Sequence, residues 1–469
     1  MTSSSPNGCA REPRASNSDG HADQARFAYA QDMRAGIVFA VAGALCAQSP
    51  PPDPTDVLAH ARDNLLERRH RLPNYVCAQT VDRKYLRPSV PAQSLPSCGQ
   101  MLKGEKDADS RQLYLTDRLH LEVKVSRGSE IGSWAGASQF DSRSIFDLVG
   151  SGPFGTGALG PFLSDIFAEG SASFEYKGGK PAGSRADLYE YGFRVPVSSS
   201  HYSVEVGHDW HAVAYDGLVR IDPQSFDLRY LLVRVSELPP ESETCEAVTS
   251  VDYARVKMGT GNFLLPQESR LHIVMTDSNE NEITTKYAAC HEYHGEATIH
   301  FGDEPAAITT EQKADATAPA ALPAGLPVSL ALTAPIDTGT AAAGDVVMER
   351  VRKAVRVHGS GEVLIPEGAT VRGRIIRMRH WLDSPRRFEI AIRLETFEVN
   401  GLSRPIYAQP LTGYEIANSR MLRHRIPIAL PPAGLPASVA TFVFEVSQDR
   451  HVVPLGFESN WITIAPSKP

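Results

Sequence analysis

The sequence lacks the features by which several large functional classes are usually recognised. It has no P-loop, no Gly-x-Ser-x-Gly segment and no His-Glu-x-x-His segment, so it gives no sign of a nucleotide-binding, α/β-hydrolase or zinc-protease site. It also lacks an excess of positive charge: the formal net charge is -8, and charged residues are not grouped in blocks. Because no global positive field would attract phosphate, we expect no nucleic-acid partner.

Long hydrophobic runs are also missing. The apolar run at residues 35–47 is shorter than the roughly 20 residues that a membrane-spanning helix needs. It follows an arginine and precedes a proline-rich polar stretch, which is the layout of a secretory signal peptide that starts at Met33 and is cleaved after Ala47 or within residues 42–44. We therefore predict a disordered leader and signal peptide over residues 1–47, no transmembrane segment, and a periplasmic or secreted protein.

Cysteine is scarce, with six residues in 469, and two of the six fall in the predicted leader and signal. In an oxidising compartment the remaining four favour two disulfides over free thiols or a zinc cluster, and they contain no Cys-x-x-Cys spacing. Four cysteines allow three connectivities. We predict a local bridge between Cys77 and Cys98 across a turn-rich hairpin, and a second between Cys245 and Cys290 across the last strands of the first domain.

What the sequence does contain is mostly β structure. Residues 55–71 have the apolar stripe and the basic last turn of a helix. After it, short segments alternate apolar and polar residues between Gly, Asp-Pro or Ser-rich turns, as antiparallel strands with one buried face do. The first of these predicted strands are at 75–85, 111–125, 172–178 and 187–197, and six more follow up to residue 290.

One interruption and one change of composition divide the chain further. Residues 140–170 are typical of two short helices joined by a glycine-rich loop, which would cover the apolar face of the sheet. Residues 303–326 are rich in Ala, Pro and Thr, which indicates a linker. The predicted fold class is mainly β (α+β): a curved antiparallel sheet with a few covering helices at 53–302, and a second small β-barrel or sandwich domain at 327–469.

The segment CHEYHGEATIH at residues 290–300 combines three histidines, two glutamates and a cysteine. His291 and His294 are three positions apart, and the local period is two, so the pattern predicts a strand in which these two histidines face opposite sides. We expect no metal and no catalytic residue here. The alternative is a weak surface metal site formed by the residues that share one strand face: Glu292, His294, Glu296 and His300.

Two other motifs have structural interpretations. The histidine pair in HDWH, residues 208–211, is predicted to lie in a hairpin turn. Gly150, Gly152 and Gly155 match Gly-x-Gly-x-x-Gly, but a dinucleotide site needs a preceding buried strand and a following helix in a βαβ unit. In an antiparallel context we predict no dinucleotide and no other cofactor.

Basic residues crowd two strands of the predicted second domain. We interpret them as a solvated strand face with interspersed Glu349, Glu362 and Glu367. The alternative is a surface that binds an anionic glycan or lipid head group. The basic residues are Arg350, Arg352, Lys353, Arg356, Arg372, Arg374, Arg377 and Arg379.

The segments LLERRHRLPNYVCAQTV, FGTGALGPFLSDIF and YDGLVRIDPQSFDLRYLLVRV resemble a family of exported bacterial envelope proteins. The strand-rich meander is similar in outline to periplasmic lipoprotein carriers and to the sensors that regulate envelope-stress factors. The resemblance covers about residues 55–302. It implies a curved, half-open antiparallel sheet with helices on its concave side, and it implies no site residues.

From residue 327 to about 410, PVSLALTAPIDTGTAAAGDVV and VLIPEGATVRGRI resemble the small β-barrel modules of conjugative and type IV secretion channel proteins. The matched elements are Gly344, Asp345 and residues 365–368. This resemblance implies a generic envelope module.

Together these features predict a non-enzymatic envelope protein that binds an apolar ligand, either a lipid or a lipoprotein, or a protein partner in its curved sheet. One alternative is a scaffold of an envelope or secretion assembly. Another is a metal-assisted hydrolase that uses the histidine clusters.

Overall fold

A computed structural model of the protein describes residues 51–89, 95–103, 111–126, 129–137, 140, 145–150, 152–182, 185–206, 209–235, 237–293, 322–411 and 435–466. The predicted leader and signal peptide, and the predicted linker up to residue 321, lie outside the described residues. Residues Pro52–Pro469 form one compact unit. Its described part has a first region, residues 51–293, and a second region, residues 322–466.

Helices are few, and all belong to the first region as far as the structure describes the chain. The first begins one residue earlier than predicted, where the Asp53 side chain accepts the backbone N–H of Thr55 at 2.7 Å. The predicted pair of short helices within residues 140–170 is present. None of the described helices is long and apolar enough to cross a membrane. The helices are α1 Pro54–Arg71, α2 Cys98–Leu102, α3 Ile145–Val149 and α4 Pro161–Phe167.

The strands of the first region form a continuous antiparallel ladder in the order β4, β5, β8, β9, β10, β11, β12, β1, β2, β3, with β6 and β7 as a separate hairpin. Their bounds are β1 Tyr75–Pro88, β2 Arg111–Ser126, β3 Ser129–Trp134, β4 Ser173–Ala182, β5 Arg185–Val195, β6 Ser203–Val206, β7 Asp209–Ala212, β8 Tyr215–Ile221, β9 Leu228–Val235, β10 Thr244–Met258, β11 Gly261–Met275 and β12 Glu280–Glu292.

Alternation along these strands gives the sheet a buried inner face. On β1, Tyr75, Cys77 and Val81 are fully buried, whereas the intervening Ala78 is exposed. Helices α1 and α4 cover part of this face with buried side chains that include Val57 and Ile166. Burial of this apolar face against helices is what holds the layers together.

The second region is also antiparallel, in the order β21, β24, β13, β15, β18, β19, with β20 and β22 pairing along different parts of β19. Its strands are β13 Pro327–Leu332, β14 Ile336–Asp337, β15 Val346–Val351, β16 Val355–Arg356, β17 Val363–Ile365, β18 Thr370–Trp381, β19 Arg387–Val399, β20 Leu402–Pro405, β21 Ala408–Pro410, β22 Val439–Glu445, β23 Val452–Val453 and β24 Glu458–Thr463. The predicted mainly β fold class is confirmed.

The two regions share one sheet because the first part of β2 pairs with β18, with Asp117 opposite Arg379. A second contact lies nearby, where the backbone N–H of His120 donates to Ala343 at 2.7 Å. Gly344 has φ +107, and a Cβ there would lie 2.0 Å from the His120 carbonyl oxygen. Only glycine permits this approach of the two backbones.

All four predicted cysteines of the first region form disulfides, but the predicted pairing is wrong. The bonds join Cys77 to Cys290 and Cys98 to Cys245. Strands β1 and β12 are neighbours, and a bulge at Ala289, with φ 50°, accompanies the bridge between them. Cys98 lies in helix α2, and the described strand partners of β1 are β2 and β12.

The predicted solvated strand face in the second region is wrong for three of its residues. Arg374 and Arg377 are 2% and 9% exposed, and Glu349 is 1% exposed. Burial of the two arginines is possible because each forms an ion pair, with Glu395 and Glu389 of β19 respectively. Several of the other residues are exposed as predicted: Arg350, Arg352, Lys353, Arg356, Glu362 and Glu367.

Candidate functional site

A pocket of about 470 Å³ lies on the inner face of the first region. Its floor is formed by Ala247 and Thr249 of β10 and by Leu271 and Ile273 of β11. These four residues are cross-strand partners, Ala247 with Ile273 and Thr249 with Leu271, so they form one patch of the sheet surface. A small residue at 247 leaves space above the sheet.

One wall of the pocket is the glycine-rich loop at residues 152–157. A Cβ on Gly155 would lie 3.1 Å from the Leu271 side chain, so the loop packs closely against the floor. Gly152 has φ +117, and a Cβ there would lie 2.5 Å from the Tyr85 hydroxyl and 2.8 Å from Arg83. Gly152 and Gly155 therefore allow the loop to pack closely against the sheet. Gly150 follows helix α3 and not a strand, as the dinucleotide motif would require.

A buried ion pair anchors the first end of this loop. Arg83 donates to both carboxylate oxygens of Asp117, at 2.6 and 2.8 Å, and each side chain is only 3% exposed. The Tyr85 hydroxyl donates to the same carboxylate at 3.3 Å, and Arg83 also donates to the Pro153 carbonyl oxygen at 3.4 Å. Burial, together with the charge of Asp117, raises the pKa of Tyr85 well above its usual value. The hydroxyl thus remains a donor.

A second carboxylate anchors the other end of the loop. Glu130 accepts the backbone N–H groups of Gly157 at 3.4 Å and Leu159 at 3.2 Å. Burial raises the pKa of Glu130, and these two hydrogen bonds oppose that rise. The Tyr253 hydroxyl donates to the Ala158 carbonyl oxygen at 3.0 Å. The wall of the pocket is therefore fixed at both ends to the sheet.

Aromatic side chains from three separate elements meet at the mouth of the pocket. Trp210 of β7 is 52% exposed, and its ring centroid lies 5.5 Å from that of Phe146 in α3. Phe146 in turn lies 6.2 Å from Phe154 in the loop, edge to face. The β6–β7 hairpin, helix α3 and the loop thus surround the opening with aromatic surface.

The pocket also contains a few polar groups. Asp165 of α4 accepts the backbone N–H of His201 at 3.1 Å, and its other oxygen lies 2.9 Å from the His201 ring Nδ1. The Ser242 hydroxyl is buried and has no hydrogen-bond partner among the described residues. An apolar lining with a small number of polar groups is typical of small-molecule pockets, and the volume is within their usual range of about 300–1,000 Å³.

The histidine motifs do not form this site. Asp209 to His211 belong to strand β7, so the hairpin turn predicted for HDWH is wrong for these three residues, and His208 lies outside the described residues. His291 is exposed and its ring Nδ1–H donates to the Ala289 carbonyl oxygen at 3.0 Å. His294, Glu296 and His300 lie outside the described residues. In the part of the chain that the structure describes, no three or more His, Cys, Asp or Glu side chains are grouped to hold a metal ion.

The residues that form the pocket were not identified from the sequence. One signal was available: Trp210 is a large aromatic residue in the otherwise polar segment HDWH. Tryptophan is enriched at binding surfaces, so a tryptophan in a polar segment is a candidate binding residue. The floor residues gave no signal, because Ala247 and Leu271 are ordinary inward-facing strand residues.

Comparison with protein-family models gives no match to this chain, and comparison with curated proteins gives none either. Among solved structures, the chain is similar to a LolA superfamily protein from Nitrosomonas europaea. The two are 9% identical, the TM-score is 0.23, and the alignment covers 51% of this chain and 93% of that chain.

Proposed function

We propose that this protein is a non-enzymatic binding protein of the cell envelope, and that it holds an apolar ligand, a lipid or the acyl chain of a lipoprotein, in the pocket of the first region. The observation that carries the proposal is the pocket itself: about 470 Å³ on the inner face of the sheet, with Phe154, Phe162, Leu271 and Ile273 in its lining. Burial of an acyl chain against such a surface contributes about 0.8 kcal/mol for each methylene group.

The arrangement of the walls supports binding rather than catalysis. The buried charged groups beside the loop, Glu130 and the Arg83–Asp117 pair, hydrogen bond to the backbone of the loop or to each other. They hold a wall in place. The two disulfides of the first region are compatible with an oxidising compartment such as the periplasm.

The test is to fill the pocket. Ala247→Trp places a large side chain on the floor, whereas Ala288→Trp makes the same change at an exposed position on the opposite face of the sheet. We expect the Ala247 variant to bind the neutral fluorescent probe N-phenyl-1-naphthylamine at least about tenfold more weakly, which corresponds to about 1.4 kcal/mol, and the Ala288 variant to bind it normally.

Mass spectrometry of an organic extract of the purified wild-type protein gives an independent measurement. A co-purified lipid that is absent from the Ala247→Trp variant would support the proposal. Equal probe binding by wild type and the Ala247 variant would contradict it and favour a scaffold without a lipid site. Metal analysis of the same preparation tests the hydrolase alternative, which requires stoichiometric zinc or another divalent metal.

A further inference from the structure

The ionisable side chains that line the pocket are mostly acidic. Apart from the phenol of Tyr202, among the described lining residues these are Asp165, His201 and Glu205, with neither lysine nor arginine. Two of the three are carboxylates. The mouth of the pocket thus offers acidic groups, and only one side chain of the described lining is able to offset them.

His201 already contacts one of these carboxylates, that of Asp165. Its backbone N–H and its ring Nδ1 both lie within hydrogen-bond distance of Asp165, at 3.1 and 2.9 Å. The His201 side chain is 84% exposed, whereas that of Asp165 is 14% exposed. The carboxylate is therefore the inner member of the pair, and its field acts on the interior: after burial, the charge of Asp165 is the next cause that raises the pKa of the nearby Tyr215.

Glu205 extends the acidic rim onto the hairpin that carries the aromatic mouth. It is exposed on β6 and lies directly opposite Trp210 of β7 in the hairpin register. Arg83, which donates to the Pro153 carbonyl oxygen of the loop wall, is also engaged by both oxygens of Asp117. It is thus unable to serve as a counter-ion for a ligand in the pocket.

We infer that the pocket selects amphiphiles whose polar end carries no negative charge, uncharged or cationic, and discriminates against fatty-acid carboxylates and other anionic head groups. An anion placed at this mouth would lie beside Asp165 and Glu205 and would lose hydration without gaining a lysine or arginine partner among the described lining residues. The inference rests on the proposed function, because it names the ligand class of the same pocket.

Three probes that share the hexadecyl chain length separate charge from apolar surface: monopalmitoylglycerol, hexadecyltrimethylammonium and palmitate. Each is titrated as a competitor of N-phenyl-1-naphthylamine bound to the full chain, below its own micelle concentration and in mildly alkaline buffer where palmitate is an anion. We expect the first two to compete at least about tenfold more strongly than palmitate, a difference of about 1.4 kcal/mol.

Charge-removing variants provide the decisive comparison. Asp165→Asn with Glu205→Gln should improve palmitate competition about fivefold or more and leave monopalmitoylglycerol unchanged. Asp216→Asn with Glu282→Gln changes the net charge equally at positions outside the pocket lining, and should alter neither.

The outcomes separate this inference from the proposal on which it rests. Charge selection would be overturned if palmitate competed as well as monopalmitoylglycerol, or if the pocket variants did not alter the ratio of their competition strengths. Either result would leave the apolar pocket in place. The proposed function itself would be overturned if none of the three amphiphiles displaced N-phenyl-1-naphthylamine and if Ala247→Trp did not weaken the binding of N-phenyl-1-naphthylamine.

Discussion

The first and second regions are built from the same alternation of apolar and polar residues, but they bury their inner faces differently. In the first region the inner face is covered by separate segments, helices α1 and α4 and the loop at 152–157, and a pocket remains beneath them. In the second region the strands pack their own side chains together around the fully buried Trp461.

The two ways of covering a sheet need different stabilising contacts. A cover made of separate segments must be fastened to the sheet, and in the first region the Arg83–Asp117 pair and the Glu130 hydrogen bonds hold the loop at 152–157. One disulfide also ties helix α2 to β10, and the other joins β1 to β12 within the sheet. The second region has no cysteine and relies on close packing. The proposed binding pocket therefore lies in the region whose cover is assembled from separate segments.

The largest expected effect comes from the disulfide that fastens β1 to β12. Cys77 and Cys290 are separated by 213 residues, so by the loop-entropy model the bridge contributes at most roughly 5 kcal/mol. We expect Cys77→Ala with Cys290→Ala to lower the free energy of unfolding by most of that amount. Hydrogen exchange should increase first in residues 75–86 and 280–292, and much less in β13 and β24.

Reduction of the wild-type protein provides the control, because the second region contains no cysteine. If reduction lowered hydrogen-exchange protection equally in both regions, the two regions would be stabilised as a single cooperative unit. The contrast between a cross-linked first region and a close-packed second region would then be wrong.

Next in size is the buried ion pair beneath the loop wall. Asp117→Asn leaves the buried Arg83 without its carboxylate, and breaking a buried pair in this way costs about 3–5 kcal/mol. We expect a corresponding fall in the denaturant midpoint and faster proteolysis at residues 152–157. Asp216→Asn is the matched control, because its pair with Arg234 is 33% and 50% exposed and should contribute no more than about 1 kcal/mol. Similar losses in the two variants would contradict the assigned role.

Local structure could be predicted from the sequence because its causes are local. The period of two in YVCAQTVDRKY predicted β1, and the apolar stripe after Pro54 predicted α1 to within one residue. The disulfide pairing could not be predicted in the same way, because it depends on which strands are neighbours in the sheet. Strand β1 is followed in sequence by β2, but its other neighbour, β12, is far along the chain.

The pocket and the buried charges were missed for the same reason. The lining combines α3 and the loop, the β6–β7 hairpin, and strands β10 and β11, which come from three separate parts of the chain. Arginine is mostly exposed in proteins, so Arg374 was assigned to a solvated face. Its burial depends on Glu395 of the next strand and on two carbonyl oxygens, those of Ala135 and Gly344, at 2.7 and 2.6 Å.

A buried carboxyl in the second region gives the smallest effect and the sharpest contrast with the first. Glu349 is 1% exposed and accepts a hydrogen bond from the Ser459 hydroxyl at 2.9 Å. Burial raises its pKa from 4.5 to about 7, and the Ser459 hydrogen bond opposes the rise. The folded state therefore keeps the proton of Glu349 over a pH range in which the unfolded chain has lost it.

The sign of the pH dependence follows from this difference in bound protons. Between pH 4.5 and about 7 the folded protein holds one more proton at Glu349 than the unfolded protein, so the free energy of unfolding falls as pH rises through that window and then levels off. At about 1.4 kcal/mol per pKa unit, the total loss is on the order of 3 kcal/mol.

Glu349→Gln keeps an acceptor for Ser459 but cannot ionise, so its stability should not show this fall. Urea unfolding at several pH values, compared with wild type and with the exposed Glu362→Gln control, measures it. Parallel pH profiles for wild type and Glu349→Gln would mean that the carboxyl is ionised inside the core, and the second region would then owe its stability to more than packing.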